Sequence, residues 1–236
     1  MDAAIVERES RQTENMSVAE PLQFPEIQGQ SACFKVIIPE IRISRLYLFA
    51  KRTFDVVMSL VVLALLAIPM LIIALLIRID SPGPALFRQE RLGKDGRPFT
   101  IFKFRSMRVD AEKNGPQWAD KDDPRCTKLG RILRKSRLDE IPQLWNILKG
   151  EMSFVGPRPE RACFYEKFET YIHGFSKRLL VKPGLTGYAQ VNGGYELKPE
   201  EKIVYDIEYI QKQSVLMDLW CIFKTVKLVF THEGAR

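Results

Sequence analysis

Residues 56–77, VVMSLVVLALLAIPMLIIALLI, carry no charge. As a helix rising about 1.5 Å per residue, the run would reach about 33 Å, against a hydrocarbon core of about 30 Å. It is expected to enter a membrane. A secretory signal is a poor match, because the run starts far from the N-terminus and no small-residue cleavage site follows it. Pro69 lies inside the run and would remove a backbone hydrogen bond, at about 3 kcal/mol in a straight helix. Both flanks are basic, with Arg42, Arg45, Lys51 and Arg52 before it and Arg78, Arg88, Arg91, Lys94 and Arg97 after it. Loop charge therefore gives no direction of crossing. Two readings stay open: a bent hairpin that re-enters its own leaflet, and a straight span that tolerates its proline.

The remaining pattern divides the chain into a polar, aperiodic tail (1–34, with Pro21 and Pro25), a mixed apolar and basic approach (35–55), the membrane segment (56–77) and a following domain (78–236). After the turn SPGP at 81–84, apolar-basic alternation flanks Asp95-Gly96, which predicts a β-hairpin. Its second arm, TIFKFRSM, sets Ile101, Phe102 and Phe104 among Lys103 and Arg105. A polar, acidic loop follows at 114–124. From 126 the period becomes helical, with Leu129, Ile132 and Leu133 on one face and Lys128, Arg131, Arg134 and Lys135 on the other. Ser136 or Asp139 can cap a second helix that carries Leu144, Ile147 and Leu148 and ends at Gly150. With Asp139 as cap, Pro142 falls in the first turn, where amide hydrogens have no intrahelical partner. At the C-terminal end Leu216, Leu219, Trp220, Phe223 and Phe230 share one helical face, while Lys224 and Lys227 lie elsewhere. Such a helix lies on a membrane interface or packs on the domain core, and the neighbouring apolar run favours the membrane.

Charge sharpens this picture. Among 236 residues, 36 Lys and Arg stand against 29 Asp and Glu, a net charge of +7. Anionic partners follow: phosphorylated ligands, an anionic membrane surface or nucleic acid. Cys33, Cys126, Cys163 and Cys221 lie far apart with no CxxC, so neither a disulfide framework nor a zinc site is expected. His173 and His232 are the only histidines and read as surface residues, which leaves a Ser-His or Cys-His mechanism little to work with.

The chemistry concentrates in three stretches. In SRLDEIPQLW, Asp139 and Glu140 directly follow a run from 125 to 137 with six basic residues and no acid. Taken alone, that is an ordinary charged helix entrance, because carboxylates suit a helix N-terminus. In GPRP, Arg158 stands between prolines that restrict its backbone, and a guanidinium so held can grip two phosphate oxygens. Taken alone, that is a rigid turn. KPGLTGYAQVNGG, at 182–194, could bring backbone amides to a ligand, yet it lacks the P-loop arrangement, and no GxGxxG follows a strand.

Read in order, KRTFDVVMSL, the apolar run with its inner proline, SPGPALFRQERLG, FTIFKFRSM, SRLDEIPQLWNILKGEMSFVGPRPE and KPGLTGYAQVNG resemble the bacterial sugar transferases. From about residue 46 onward the chain looks like a monotopic polyprenyl-phosphate phosphoglycosyl transferase. The resemblance implies Mg²⁺-dependent transfer of a sugar 1-phosphate from a UDP-sugar to undecaprenyl (polyprenyl) phosphate, with release of UMP. It implies Asp139 as a nucleophile that forms a covalent phosphosugar, with Glu140 as its partner in metal binding or proton handling. Asp139 and Glu140 are then the metal ligands. Arg158, Lys103, Arg105 and Arg137 are the expected phosphate-binding residues. The implied setting is the cytoplasmic face of the inner membrane among membrane lipids, with glycan synthesis as the pathway, no nucleic acid and a homo-oligomer left open. One departure is Ile68, where many relatives carry a Ser before the membrane proline.

The expected fold is α/β mixed and mostly helical: a membrane-embedded re-entrant helix, a small cytoplasmic catalytic domain with a short β-hairpin, and interfacial amphipathic helices. A basic membrane-anchored adaptor would explain the charge and the apolar run, but it needs neither the acid pair nor GPRP. It also lacks a recognisable nucleic-acid motif.

Overall fold

In the computed structural model the apolar run forms the middle of one long helix, α1 (Arg45–Asp80), which continues through Pro69. The described residues are 34–36, 43–113, 115, 123–193 and 197–231. The expected tail up to residue 33, most of the acidic loop and His232 lie outside them. No hairpin turn divides α1. Among the described residues it is the one helix long and apolar enough to cross a membrane. Leu65, Ile68, Leu71 and Ile79 point outward from it.

Short elements surround this helix. In chain order they are β1 (Phe34–Lys35) before α1, then β2 (Leu86–Leu92), β3 (Pro98–Phe104), α2 (Lys128–Lys135), a 3-10 helix (Leu138–Gln143), α3 (Leu144–Lys149), β4 (Ser153–Val155) and α4 (Ala162–Glu169). There follow β5 (Ile172–His173), a 3-10 helix (Phe175–Leu180), β6 (Gly184–Thr186), α5 (Tyr188–Asn192), α6 (Pro199–Lys212) and α7 (Val215–Thr231). The domain is thus mostly helical. Its strands pair two by two, β1 with β5, β2 with β3 and β4 with β6. The hairpin is where the alternation put it. Asp95 and Gly96 supply φ values of 57° and 73°, the left-handed pair that a tight turn between antiparallel strands requires.

Polar anchors dock the first third of α1. Tyr47 and Lys51 donate to Asp218 Oδ2 at 2.9 and 2.7 Å. The Arg52 guanidinium donates to the carbonyls of Ile147 and Leu148, both at 2.7 Å, and so satisfies the open end of α3. Asp55 accepts from Ser153 Oγ at 3.1 Å and Phe154 N at 3.0 Å. Farther along, Val62 and Leu63 pack on Phe99, Ile101, Leu144, Ile147 and Met152. Ile77, with Met70, Ile73 and Ala74, packs on Phe104 and Leu133.

The other large core gathers α4, the 175–180 turn, α6 and α7 around Phe175, Tyr209, Ile210 and Cys221. On α7 the stripe chosen by periodicity is split, with Trp220 packed on this core and Leu216, Leu219 and Phe223 facing outward. Leu216 is 79% exposed and Phe223 69%, while Cys221 is buried on the opposite side. A similar split occurs on α2, where Leu133 is buried and Leu129 packs beside it but Ile132 is 64% exposed.

Candidate active site

The acid pair is set by a sharp change of direction. Thr127 caps α2 by accepting from Gly130 N at 2.9 Å. At its other end Ser136 Oγ donates to the Ile132 carbonyl at 2.9 Å. Arg137 then takes φ 57°, a left-handed conformation that is uncommon for a side chain of its size. Strain of this kind gathers at functional sites. Neither Ser136 nor Asp139 caps the next helix, contrary to the pattern reading. A 3-10 turn intervenes, and Pro142 lies within it. Residues three apart eclipse in such a turn, so Leu138 and Ile141 enter two neighbouring apolar clusters. Asp139 and Glu140 remain buried beside the cavity wall.

Glu140 is held from two sides. Its Oε1 accepts from Lys103 Nζ at 2.8 Å and from Arg158 Nη2 at 2.5 Å. Lys103 arrives because it continues the inward row of Phe99 and Ile101, every second residue of β3. Burial opposes ionisation of Glu140, but the charges of Arg158 and then Lys103 outweigh it and hold the carboxyl far below its usual range. Asp139, 8% exposed, behaves oppositely. Burial first, and the Glu140 charge second, push it up to about 6, against the pull of Lys103, Arg134 and Arg158.

Arg158 owes its place to a stitched loop. Gly156 N donates to the Thr186 carbonyl and Gly184 N to the Pro157 carbonyl, both at 2.9 Å. Arg91 reaches the Pro159 carbonyl at 3.3 Å, and Leu92 N reaches the Glu160 carbonyl at 3.1 Å. The Gly-rich stretch 182–194 thus presents the Gly184 amide to GPRP rather than to a ligand. No side chain fits at this approach, since a Cβ on Gly184 would stand 2.1 Å from Gly156 N.

These groups face a cavity of about 1360 Å³, walled by Asp139, Glu140, Lys103, Arg137 and Arg158 and reaching Ala74, Leu75 and Arg78 of α1. Basic side chains outnumber acidic ones more than two to one along its wall. Arg105 also borders it, but its fork is engaged elsewhere. It donates to the carbonyls of Ile77, Ser81 and Pro82 at 3.2, 2.6 and 2.7 Å and closes the end of α1. The pattern reading missed Arg91, Arg134, Glu160, Arg161 and Lys202 on the same wall. Two of them had a hint in the sequence, Glu160 directly after GPRP and Arg134 in the basic run before the acid pair. Asn146 was missed as well. Its side chain closes the free edge of β3, accepting from Phe102 N at 3.1 Å and donating to the Thr100 carbonyl at 2.7 Å.

The donor chemistry of the pair suits magnesium. Both groups are hard oxygen ligands, and Mg²⁺ usually takes one or two carboxylates and completes its shell with water and substrate phosphate. No group of three metal-binding side chains occurs among the described residues, so such an ion would depend on phosphate oxygens.

The family model for bacterial sugar transferases matches residues 46–232. The UDP-N-acetylgalactosamine-undecaprenyl-phosphate N-acetylgalactosaminephosphotransferase of Aeromonas hydrophila is 42% identical over 196 residues, 82% of this chain and 46% of that protein. The UDP-glucose:undecaprenyl-phosphate glucose-1-phosphate transferase of Escherichia coli is 42% identical over 190 residues, 78% and 41% of the two chains. Galactosyl transferase CpsE of Streptococcus agalactiae is 39% identical over 202 residues, 80% and 44%. The chain spans less than half the length of these relatives. With most of its own length matched, it belongs to the bacterial sugar transferase family.

Proposed function

We propose that this chain transfers a sugar 1-phosphate from a UDP-sugar to undecaprenyl (polyprenyl) phosphate and so initiates assembly of a membrane-linked glycan. The observation that carries the reading is the buried Asp139 carboxylate beside a Glu140 already fixed by Lys103 and Arg158, in a basic cavity that reaches the apolar helix. An Asp139 oxygen attacks the phosphorus bonded to the sugar. The bond from that phosphorus to the bridging oxygen breaks, and UMP leaves with the electron pair. An oxygen of the lipid phosphate then attacks the same phosphorus, and Asp139 departs as carboxylate. Dividing the exchange this way means the two anionic substrates need not be bound together. Lys103, Arg137 and Arg158 offset phosphate charge. Glu140, held ionised, orients Lys103 and Arg158 rather than carrying a proton. Asp139 and Glu140 would hold Mg²⁺, which when bound neutralises charge on the diphosphate. Incubation of the purified chain with polyprenyl phosphate and a panel of UDP-sugars tests the reading. UMP release with at least one sugar is expected, and a basic adaptor would release none with any.

Arg158→Lys keeps the charge but loses the planar fork. A fall in kcat/KM of roughly 10- to 100-fold is expected, the worth of one charge-assisted hydrogen bond. Near-full activity would reduce Arg158 to general electrostatics.

We also read α1 as re-entrant, bent at Pro69 without breaking its helix rather than folded by a hairpin turn, with its flanks and the catalytic domain on the cytoplasmic face. What supports this is that both halves of α1 touch one globular body, at Arg52 and Asp55 and again at Ile77. A straight span would leave only one end within reach of a polar domain. In intact cells, single cysteines at Ser44→Cys and Lys94→Cys, placed in a cysteine-free background, are expected to resist an impermeant thiol reagent. Both should react after permeabilisation. Labelling of one site alone in intact cells would make α1 a span.

A further inference from the structure

Against the GPRP loop, with Asp206 on the wall of the same cavity, lies a buried ion pair that the chemistry above does not use. Arg178 Nε donates to Asp206 Oδ2 at 2.6 Å, and both side chains are almost wholly removed from solvent. The guanidinium carbon stands 4.8 Å from the centre of the Phe175 ring. Burial opposes the charge on Arg178, but Asp206 outweighs it and keeps the guanidinium ionised. A buried pair of this sort is weak support for stability, because desolvating both partners offsets much of their attraction. Its geometry offers another reason for it. Arg178 Nη2 donates to the main-chain carbonyl of Arg158 at 3.0 Å.

That carbonyl sits between two prolines, in a segment whose other carbonyls are taken by Gly184 N, Arg91 and Leu92 N. Pro157 and Pro159 have no amide hydrogen with which to fix the loop from within. Beyond the φ angles that the proline rings fix, its carbonyls are held by donors from outside the loop. Arg178 is the donor at the residue whose side chain faces the cavity, and it is itself locked by Asp206 below and Phe175 alongside. We propose that Arg178, clamped by Asp206, is a positioning residue that fixes the backbone of Arg158 and so aims its guanidinium at substrate phosphate. This rests on the reading of Arg158 as the phosphate grip.

Arg178→Lys tests it, because an ammonium can pair with Asp206 but cannot serve two directions with a rigid fork. Binding of UDP with Mg²⁺ to the detergent-solubilised full chain is measured by equilibrium dialysis, in the native background and in Arg158→Ala. About tenfold weaker binding is expected from Arg178→Lys in the native background, the usual scale for a residue that supports a ligand-contacting group. In Arg158→Ala the same change should have less than about a twofold effect, since residues that act through one another are not additive. Equal losses in both backgrounds, or no loss in the native one, would overturn the proposal. If Arg178→Lys does not fold, the paired replacement Arg178→Met with Asp206→Leu removes the donor while leaving an apolar filling that buried sites often accept. The same dependence on Arg158 is expected from it. Failure of both variants to fold would make the pair a folding element and overturn the proposal as well. A native chain that releases no UMP and binds no UDP would instead overturn the proposed function itself.

Discussion

Asp139→Asn is expected to fold normally and to release UMP at least 10²–10⁴ times more slowly than the native chain, roughly the loss typical of a single catalytic group. An amide has the shape of the carboxylate but cannot form the acyl phosphate that the two-step transfer requires. The fold should not suffer. Asp139 is raised from 3.8 to about 6 by burial first and by the neighbouring Glu140 charge second. A folded-state value above the unfolded one means that ionising this group works against folding. The opposition grows as the pH climbs from about 4 through 6 and is complete at neutral pH. A neutral amide removes it. In the absence of divalent cation the variant should therefore melt at or above the native temperature at neutral pH, and at about the same temperature near pH 3. Substantial UMP release by the folded variant with Mg²⁺ present would exclude the nucleophile role. A large drop in melting temperature would mean that Asp139 makes a stabilising contact.

What could be read in advance follows the range of the interactions involved. The hairpin turn is a local matter of two adjacent residues, Asp95 and Gly96, whose backbone preference is printed in their identity. The length of the apolar run, the Gly150 helix end and the convergence of Asp139, Glu140 and Arg158 were legible for a similar reason, the last through a resemblance carried by contiguous motifs. The turn holding the acid pair was not. A helix cap at Asp139 and a 3-10 turn with a left-handed Arg137 place the same residues in the same order. The choice between them depends on where Leu138 and Ile141 find apolar partners, on β3 and α1. Periodicity on α2 and α7 marked an apolar stripe correctly but could not say whether it faces protein or lies bare. Ile132 and Phe223 are bare. Arg105 shows the same limit in charge. Its place beside Lys103 suggested phosphate, and nothing in the sequence pointed to the three carbonyls around the end of α1 that its fork also holds. Asn146, Arg178 and Asp206 were invisible because each acts on residues 20 or more positions away.

Gly184→Ala should damage the protein more than its single methyl suggests. A Cβ at this position would lie 2.1 Å from Gly156 N and 2.2 Å from the Thr186 carbonyl oxygen. Both are backbone atoms, one just past the end of β4 and one in β6, so no flexible side chain can swing aside. Either the two strands part, which lengthens the bonds from Gly156 N to Thr186 and from Gly184 N to Pro157, or the whole GPRP loop shifts. Overpacking of this type costs about 1–3 kcal/mol and occasionally more, and backbone on both sides puts this case at about 3 kcal/mol. Activity should fall further than stability. The loop that must move carries Arg158, and displacing its guanidinium also loosens Glu140, which then has Lys103 as its remaining direct partner of the two cations seen here. Thermal melting alongside UMP release, both measured at a temperature where the variant stays folded, separates the two effects. A variant that melts within a degree of the native chain and turns over at its full rate would mean that the strands absorb the methyl without moving Arg158. The stitched loop would then be incidental to the site. The alanine is expected to leave a chain that folds below its melting point and hardly turns over.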